Sequence, residues 1–145
     1  MPHLVGNYEL LEVLGRGGMG VVYKARHITT GVYRAVKKIY EQFCFEPHFS
    51  RVLSEVKIQS ELVHPNIVQM FDPIELDGHV YLVMEYVKGT SLSDIIRMQT
   101  GPIIIERAIP IMNGILEALH YIHSVGIIHR DIKQSNIILS NENTV

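Results

Sequence analysis

Gly15-Arg16-Gly17-Gly18-Met19-Gly20-Val21-Val22 is the stretch on which the fold turns. It has the form GxGxxGxV, and its flanks matter more than its glycines. A GxGxxG run alone is a weak signal, and a glycine-rich hairpin with no ligand is its plain alternative. A dinucleotide-binding fingerprint has to lead from a strand into a helix. Here residues 8–14 mix aromatic and aliphatic side chains before the run, and Val21-Val22-Tyr23 after it is β-branched and aromatic. Those are strand formers on both sides. Strand, glycine loop, strand makes a flap whose backbone N–H groups can approach phosphates with no Cβ in the way.

Working outward, residues 21–27 and 32–39 read as strands joined through the turn Thr29-Thr30-Gly31. A helix follows: Pro47 suits a first turn, and Phe49, Val52, Leu53 and Val56 recur at i, i+3, i+4 and i+7 before His64-Pro65-Asn66 ends the pattern. Residues 67–71 and 80–87 read as two more strands, with Asp77-Gly78 as a hairpin signal between them. The spacing therefore predicts an α+β unit, a five-stranded antiparallel sheet with one helix. After Gly89 the character turns helical. Ser91-Leu92-Ser93-Asp94 looks like a capping box, and residues 105–124 form a longer helix with Leu116, Leu119, His120 and His123 at helical spacing. Pro110 falls past its first turn and should bend it. A polar loop, residues 128–131, and a short strand, residues 137–139, come last.

Composition narrows the function. The chain has 145 residues, 47% hydrophobic and 19% charged, with net charge −2. That suits one packed domain and argues against a nucleic-acid binder or a polybasic membrane surface. No apolar run approaches the ~20 residues that cross a bilayer, and residues 1–7 lack the pattern of a signal peptide. A single cysteine, Cys44, and histidines without metal-ligand spacing make an internal disulfide or a structural zinc improbable and fit a reducing, cytoplasmic setting.

Two further runs carry chemistry. Ala35-Val36-Lys37 lies on the third strand. A strand lysine is usually a solvated outward residue, but the period of two puts Lys37 on the face of Ala35, a small residue that leaves room for a flat ring. Glu55 adjoins the apolar stripe of the helix. It reads either as a surface glutamate or as the partner that holds Lys37 where a polyphosphate can meet it. His129-Arg130-Asp131-Ile132-Lys133-Gln134-Ser135-Asn136 is the most specific signal. Asp131 can accept a hydroxyl proton, Lys133 can neutralise a phosphoryl oxygen, and Asn136 offers a hard oxygen ligand for Mg²⁺.

Taken together and in this order, these runs resemble the protein kinase family. The wording from Gly15 to Ala25 is similar to the eukaryotic-like Ser/Thr kinases of bacteria, and Lys133 in an HRDxKxxN loop looks like the Ser/Thr class. The resemblance implies a kinase-like N-lobe over residues 1–88 and a partial, helical C-lobe over residues 89–145. It implies that Gly15, Gly17 and Gly20 cover the phosphates of ATP and that Lys37 holds them and pairs with Glu55. Met84 would be the gatekeeper, and Glu85, Tyr86 and Val87 the hinge that hydrogen-bonds adenine. Leu14, Val22 and Ala35 would roof the adenine and Ile138 floor it, with Ser91 at the ribose. Asp131 would be the catalytic base and Asn136 a Mg²⁺ ligand. The substrates implied are ATP and a protein Ser/Thr hydroxyl, and Arg130 suggests control by phosphorylation of an activation loop.

The pattern has departures. Gln59 stands where the family usually places an apolar residue, Arg34 replaces a common Val, Gln134 a frequent Pro, and Pro110 is unusual inside its helix. The 145 residues hold no Asp-Phe-Gly. Residues 141–144 read as a turn and Val145 as the start of a further strand. The chain therefore reads as a kinase domain truncated before that motif and inactive by itself, the alternative being a non-catalytic nucleotide-binding or interaction fragment. A helix over residues 105–124 without its usual neighbours should also expose apolar surface, with Ile111, Ile115 and Ile122 as the candidates.

Overall fold

A computed structural model describes residues 3–45 and 47–141. Strands β1 (His3–Val5), β2 (Tyr8–Gly17), β3 (Gly20–His27) and β4 (Tyr33–Ile39) lead into helix α1 (His48–Ser60). Strands β5 (Ile74–Leu76), β6 (His79–Glu85) and β7 (Gly89–Ser91), helices α2 (Leu92–Met98) and α3 (Ile105–Ser124), and strand β8 (Ile138–Ser140) follow. The chain divides into two compact units. One holds the described residues up to Val63 together with Val68–Tyr86, and the other holds His64–Ile67 and the described residues from Val87 onward.

The first unit is an antiparallel sheet in the order β1-β2-β3-β4-β6-β5. It has six strands where the sequence predicts five. The addition is β1, which turns back on β2 through Gly6 at φ 53° to pair Val5 with Tyr8. Three residues with one apolar pair carry no periodicity to read. The other difference lies at residues 67–71, expected as a strand. Among the described residues that segment makes only one bridge, Met70 to Met84, with Phe71 N–H donating to Val83 O and Glu85 N–H to Gln69 O. The fifth strand of the expected set is instead β5, closed onto β6 by Asp77 and Gly78 at φ 50° and 74°, the two-residue turn that Asp-Gly signals.

Strand alternation sends side chains to two cores. Val36 and Val83, cross-strand partners, pack with Val5, Leu10, Ala25 and Tyr81 on one face. Ile39, Val80, Leu82 and Met84 point to the other, where Val52 and Val56 of α1 cover them with Phe43 and Phe49. Each such aliphatic residue removed from water contributes about 1.5–3 kcal/mol, and this is what holds α1 on the sheet.

In the second unit β7 pairs with β8, Ser91 opposite Ile138. The Ser91 hydroxyl caps α2, accepting from Asp94 N–H at 3.1 Å and donating to Asp94 Oδ2 at 2.7 Å. Residues 64–67 are tied to α3 by the His64 ring, stacked 5.1 Å from Tyr121. Helix α3 continues through Pro110. Its exposed apolar stripe is not the expected one: Ile111 and Ile122 are buried and Ile115 half-buried, whereas Ile105, Ile109, Met112 and Leu116 are each more than half exposed. Both sets recur at helical spacing, so the sequence shows two apolar stripes without saying which one the fold covers. The expected turn at residues 141–144 and strand start at Val145 lie, beyond Asn141, outside the described residues.

Gly20 marks a close approach of two strands. A Cβ there would overlap the carbonyl of Lys38 on β4, whereas nothing lies within 4 Å of a Cβ at Gly17. Gly20→Ala is expected to destabilise the chain by about 1–3 kcal/mol, and Gly17→Ala to change stability by less than about 0.5 kcal/mol. Urea-denaturation midpoints of the two variants check this, and equal midpoints would contradict it.

Candidate functional site

In the first unit the register of three strands builds one face. Val22 is opposite Lys37, Ala35 opposite Met84, and Lys37 opposite Leu82. Cross-strand partners share a face, so Val22, Ala35, Lys37, Leu82 and Met84 all project from the same side of the sheet. Ala35 is buried, and Lys37, Met84 and Val22 are half-buried. The glycine run forms the tip of the β2–β3 hairpin, with Gly17 opposite Gly20 and the turn at Gly18-Met19. Space beyond Gly15, Gly17 and Gly18 is open where a side chain would stand. Leu14, beside the run, is exposed. An open hairpin backbone beside a lysine is a surface that suits a polyphosphate anion.

Glu55 lies on α1 one position before buried Val56, and it is exposed. No ion pair joining it to Lys37 is seen among the described residues. The cause is the packing of α1: with Val52 and Val56 turned into the core, Glu55 is left on the flank of the stripe. Gln59, one turn further, is exposed as well.

The segment after β6 is held at two points. Glu85 donates its N–H to Gln69 O at 2.8 Å and accepts Gln69 N–H on its carboxylate at 3.2 Å. Tyr86 is gripped by a group that the sequence reading passes over. The Lys24 ammonium lies 4.9 Å from the Tyr33 ring centroid, 5.2 Å from that of Tyr86 and 3.3 Å from Glu12 Oε1. The hydrogen bond that it donates to the Glu12 carboxylate holds the ammonium above the ordinary lysine range. The signal was present: Lys24 follows Val22 by two residues on a strand and so shares its face.

In the second unit, Asp131, Lys133 and Asn136 come together. Lys133 Nζ is 2.9 Å from Asp131 Oδ2. The Asn136 amide donates to Asp131 Oδ2 at 3.0 Å and to its main-chain carbonyl at 2.9 Å. His129 Nδ1 accepts Asp131 N–H at 3.2 Å, and Arg130 between them is held at φ 64°, a conformation a non-glycine residue adopts only when its surroundings require it. With its NH₂ committed to Asp131, Asn136 has its carbonyl oxygen left to present to a cation. The loop is exposed, yet the hydrogen bonds from Lys133 and then Asn136 hold the Asp131 carboxyl below the usual carboxylate range. No group of three His, Cys, Asp or Glu side chains that could hold a metal occurs among the described residues. Val87, Ser91 and Ile138 belong to this unit; the Ser91 hydroxyl is engaged as the α2 cap, and Ile138 is half-buried on β8.

Residues 8–145 match the family model described as protein kinase domain. The chain is 37% identical over 140 residues to the serine/threonine-protein kinase PknH of Mycobacterium tuberculosis, covering 96% of this chain and 22% of that protein. It is 40% identical over 149 residues to PknB of Mycobacterium leprae, covering 99% of this chain and 24% of that one. The fold matches the crystal structure of the M. tuberculosis PknI kinase domain with a TM-score of 0.82 at 24% identity, over 98% of this chain and 57% of that domain. The chain thus spans about a quarter of the length of these curated relatives and a little over half of the solved kinase domain.

Because the folded-state pKa of Asp131 is depressed, its interactions with Lys133 and Asn136 hold above the ordinary carboxylate range and are lost as pH falls through the depressed value. Asp131 is expected to titrate below a free aspartate. Lys133→Met should raise its midpoint more than Asn136→Ala does. A carboxyl-carbon NMR titration reads both shifts, and an Asp131 that titrates like a free aspartate in the parent protein contradicts the geometry.

Proposed function

The chain belongs to the protein kinase family, and we propose that it binds ATP and carries much of the machinery that moves the γ-phosphoryl group to a Ser or Thr hydroxyl of a protein substrate. The observation that carries this reading is the Asp131-Lys133-Asn136 constellation, in which one carboxylate is kept ionised by an ammonium and an amide.

Each residue then has a task. The open backbone at Gly15 and Gly17 receives the β- and γ-phosphates, with Gly20 holding the hairpin close to β4. Lys37 neutralises phosphate oxygens. Ala35 and Val22, with Leu14, cover the adenine, Met84 limits the depth behind it, and the peptide groups of Glu85 and Val87 hydrogen-bond its edge. In the second unit Ser91 is assigned to the ribose and Ile138 to the adenine. Asp131 orients the attacking hydroxyl and accepts its proton as the oxygen bonds to phosphorus and the bond to the β-phosphate oxygen breaks. Lys133 offsets charge on the transferring group. Magnesium, held in part by the Asn136 carbonyl oxygen, would supply positive charge to the phosphates when bound. The exposed Glu55 fits a resting arrangement that α1 leaves by turning Glu55 toward Lys37. A cytoplasmic setting agrees with the one free cysteine, and no helix among the described residues is long and apolar enough to cross a membrane.

A second reading, nucleotide binding without transfer, is favoured by the exposed Glu55, which makes no ion pair with Lys37 among the described residues. One experiment separates the two. Calorimetry on the 145-residue polypeptide is expected to show ATP or ADP binding that Lys37→Met weakens by about tenfold or more, with no phosphoryl transfer. A protein that continues through Asp-Phe-Gly and its following segment should phosphorylate a Ser/Thr peptide, and Asp131→Asn should lower its rate by about 10²–10⁴. Absence of nucleotide binding in both forms overturns the proposal. Binding without transfer in both favours the second reading.

A further inference from the structure

The side chains of Glu12, Lys24, Tyr33 and Tyr86 form a cluster to which phosphoryl transfer gives no task. The two tyrosine rings stand 6.3 Å apart, tilted by 54°, with the Lys24 ammonium near both. Glu12, on the neighbouring strand, balances its charge. The Lys24 side chain is only 24% exposed, although lysine is seldom drawn in unless it is paired. Four separate pieces of chain, β2, β3, β4 and the residue after β6, therefore meet at one cation.

The position is specific. Lys24 is the cross-strand partner of Ala35 and lies two residues further from the glycine tip than Val22. Two strand residues span ~6.6 Å, so Lys24 stands at the end of the face away from the open hairpin, whereas Lys37, opposite Val22, stands nearer to it. A lysine so placed, and already committed to a carboxylate and two rings, does not serve the phosphates. What it holds is Tyr86, next to Glu85, which Gln69 fixes by two hydrogen bonds.

We propose that Lys24 is a positioning residue for purine binding: by clasping Tyr86 between its ammonium and Tyr33, it fixes the backbone of residues 85–87 in the conformation whose peptide groups meet the adenine edge. This rests on the ATP-binding reading above. Fixing that backbone before the ligand arrives removes an ordering cost from binding, which is how preorganisation raises affinity. Because the ammonium acts through the segment and not on the ligand, its effect is blind to the number of phosphates.

The test uses two readouts on the same protein. In the ligand-free state, Lys24→Met, which keeps the apolar stem, should speed hydrogen exchange at the amides of residues 86 and 87 about threefold to tenfold, the range expected for one cation–π contact, with the melting temperature nearly unchanged. In binding, it should weaken adenosine and ATP by the same factor, leave tripolyphosphate unaffected, and be rescued by Lys24→Arg. Tyr33→Leu, which removes an exposed ring and no charge, should reproduce the effect, and it serves if Lys24→Met folds poorly. Unchanged exchange at residues 86 and 87 with intact nucleotide binding overturns the clasp alone. A larger loss for ATP than for adenosine overturns it in favour of a direct phosphate contact. Failure of the parent protein to bind any nucleotide overturns the ATP reading and the purine role with it, while the exchange result still decides whether the clasp exists.

Discussion

The register between β4 and β6 is the constraint on which the rest depends. Ala35 is locked opposite Met84 and Lys37 opposite Leu82. A slip of one residue would reverse every side chain between the two faces. With β4 slipped, Val36 would leave the core it shares with Val83 and Tyr81, and Lys37 would be driven into it. The cost of burying an unpaired ammonium far exceeds that of any single apolar contact. The same apolar pattern that stabilises the sheet therefore also decides which side carries the lysine.

Close backbone approach is the second constraint, and it divides the glycine run into two kinds of residue. Gly20 is needed by the fold, since the Lys38 carbonyl occupies the space of its missing side chain. Gly89 repeats the arrangement in the other unit against the carbonyl of Leu139. Gly15, Gly17 and Gly18 have open space instead. One motif thus holds a residue that the strands require and residues whose missing side chains leave open space.

The polar cluster of the 129–136 loop is arranged locally. Asp131, Lys133 and Asn136 satisfy one another within six residues, in a loop with little burial. Such a cluster needs little support from the core, and it survives in a unit built mainly of two helices and a two-stranded ribbon. The Lys37–Glu55 relation is of the other sort. Such a pair would join a strand to a helix, and the rotation of α1 decides whether it forms. The helix is seated by its buried Val52 and Val56, with Phe49 packed beside them.

Much of the site was legible along the chain because its parts are close in sequence or set by a period of two. The glycine hairpin, the shared face of Ala35 and Lys37, the Asp77-Gly78 turn, the Ser91 cap and the 129–136 loop are all local arrangements that side-chain type and spacing determine. The sequence did not determine features that require knowing what packs on what. Residues 67–71 have strand-like composition but make a single bridge, and β1 forms because β2 offers an edge to pair with. The apolar residues of α3 form two stripes of similar strength, and tertiary packing buried the one with Ile111 and Ile122. Glu55 is turned aside because two valines are more costly to expose than one glutamate. Lys24 finds Tyr33 and Tyr86 only when three strands and the following residue are brought side by side. In each of these cases the deciding energy lies between residues far apart in the chain, so the tertiary structure alone could decide it.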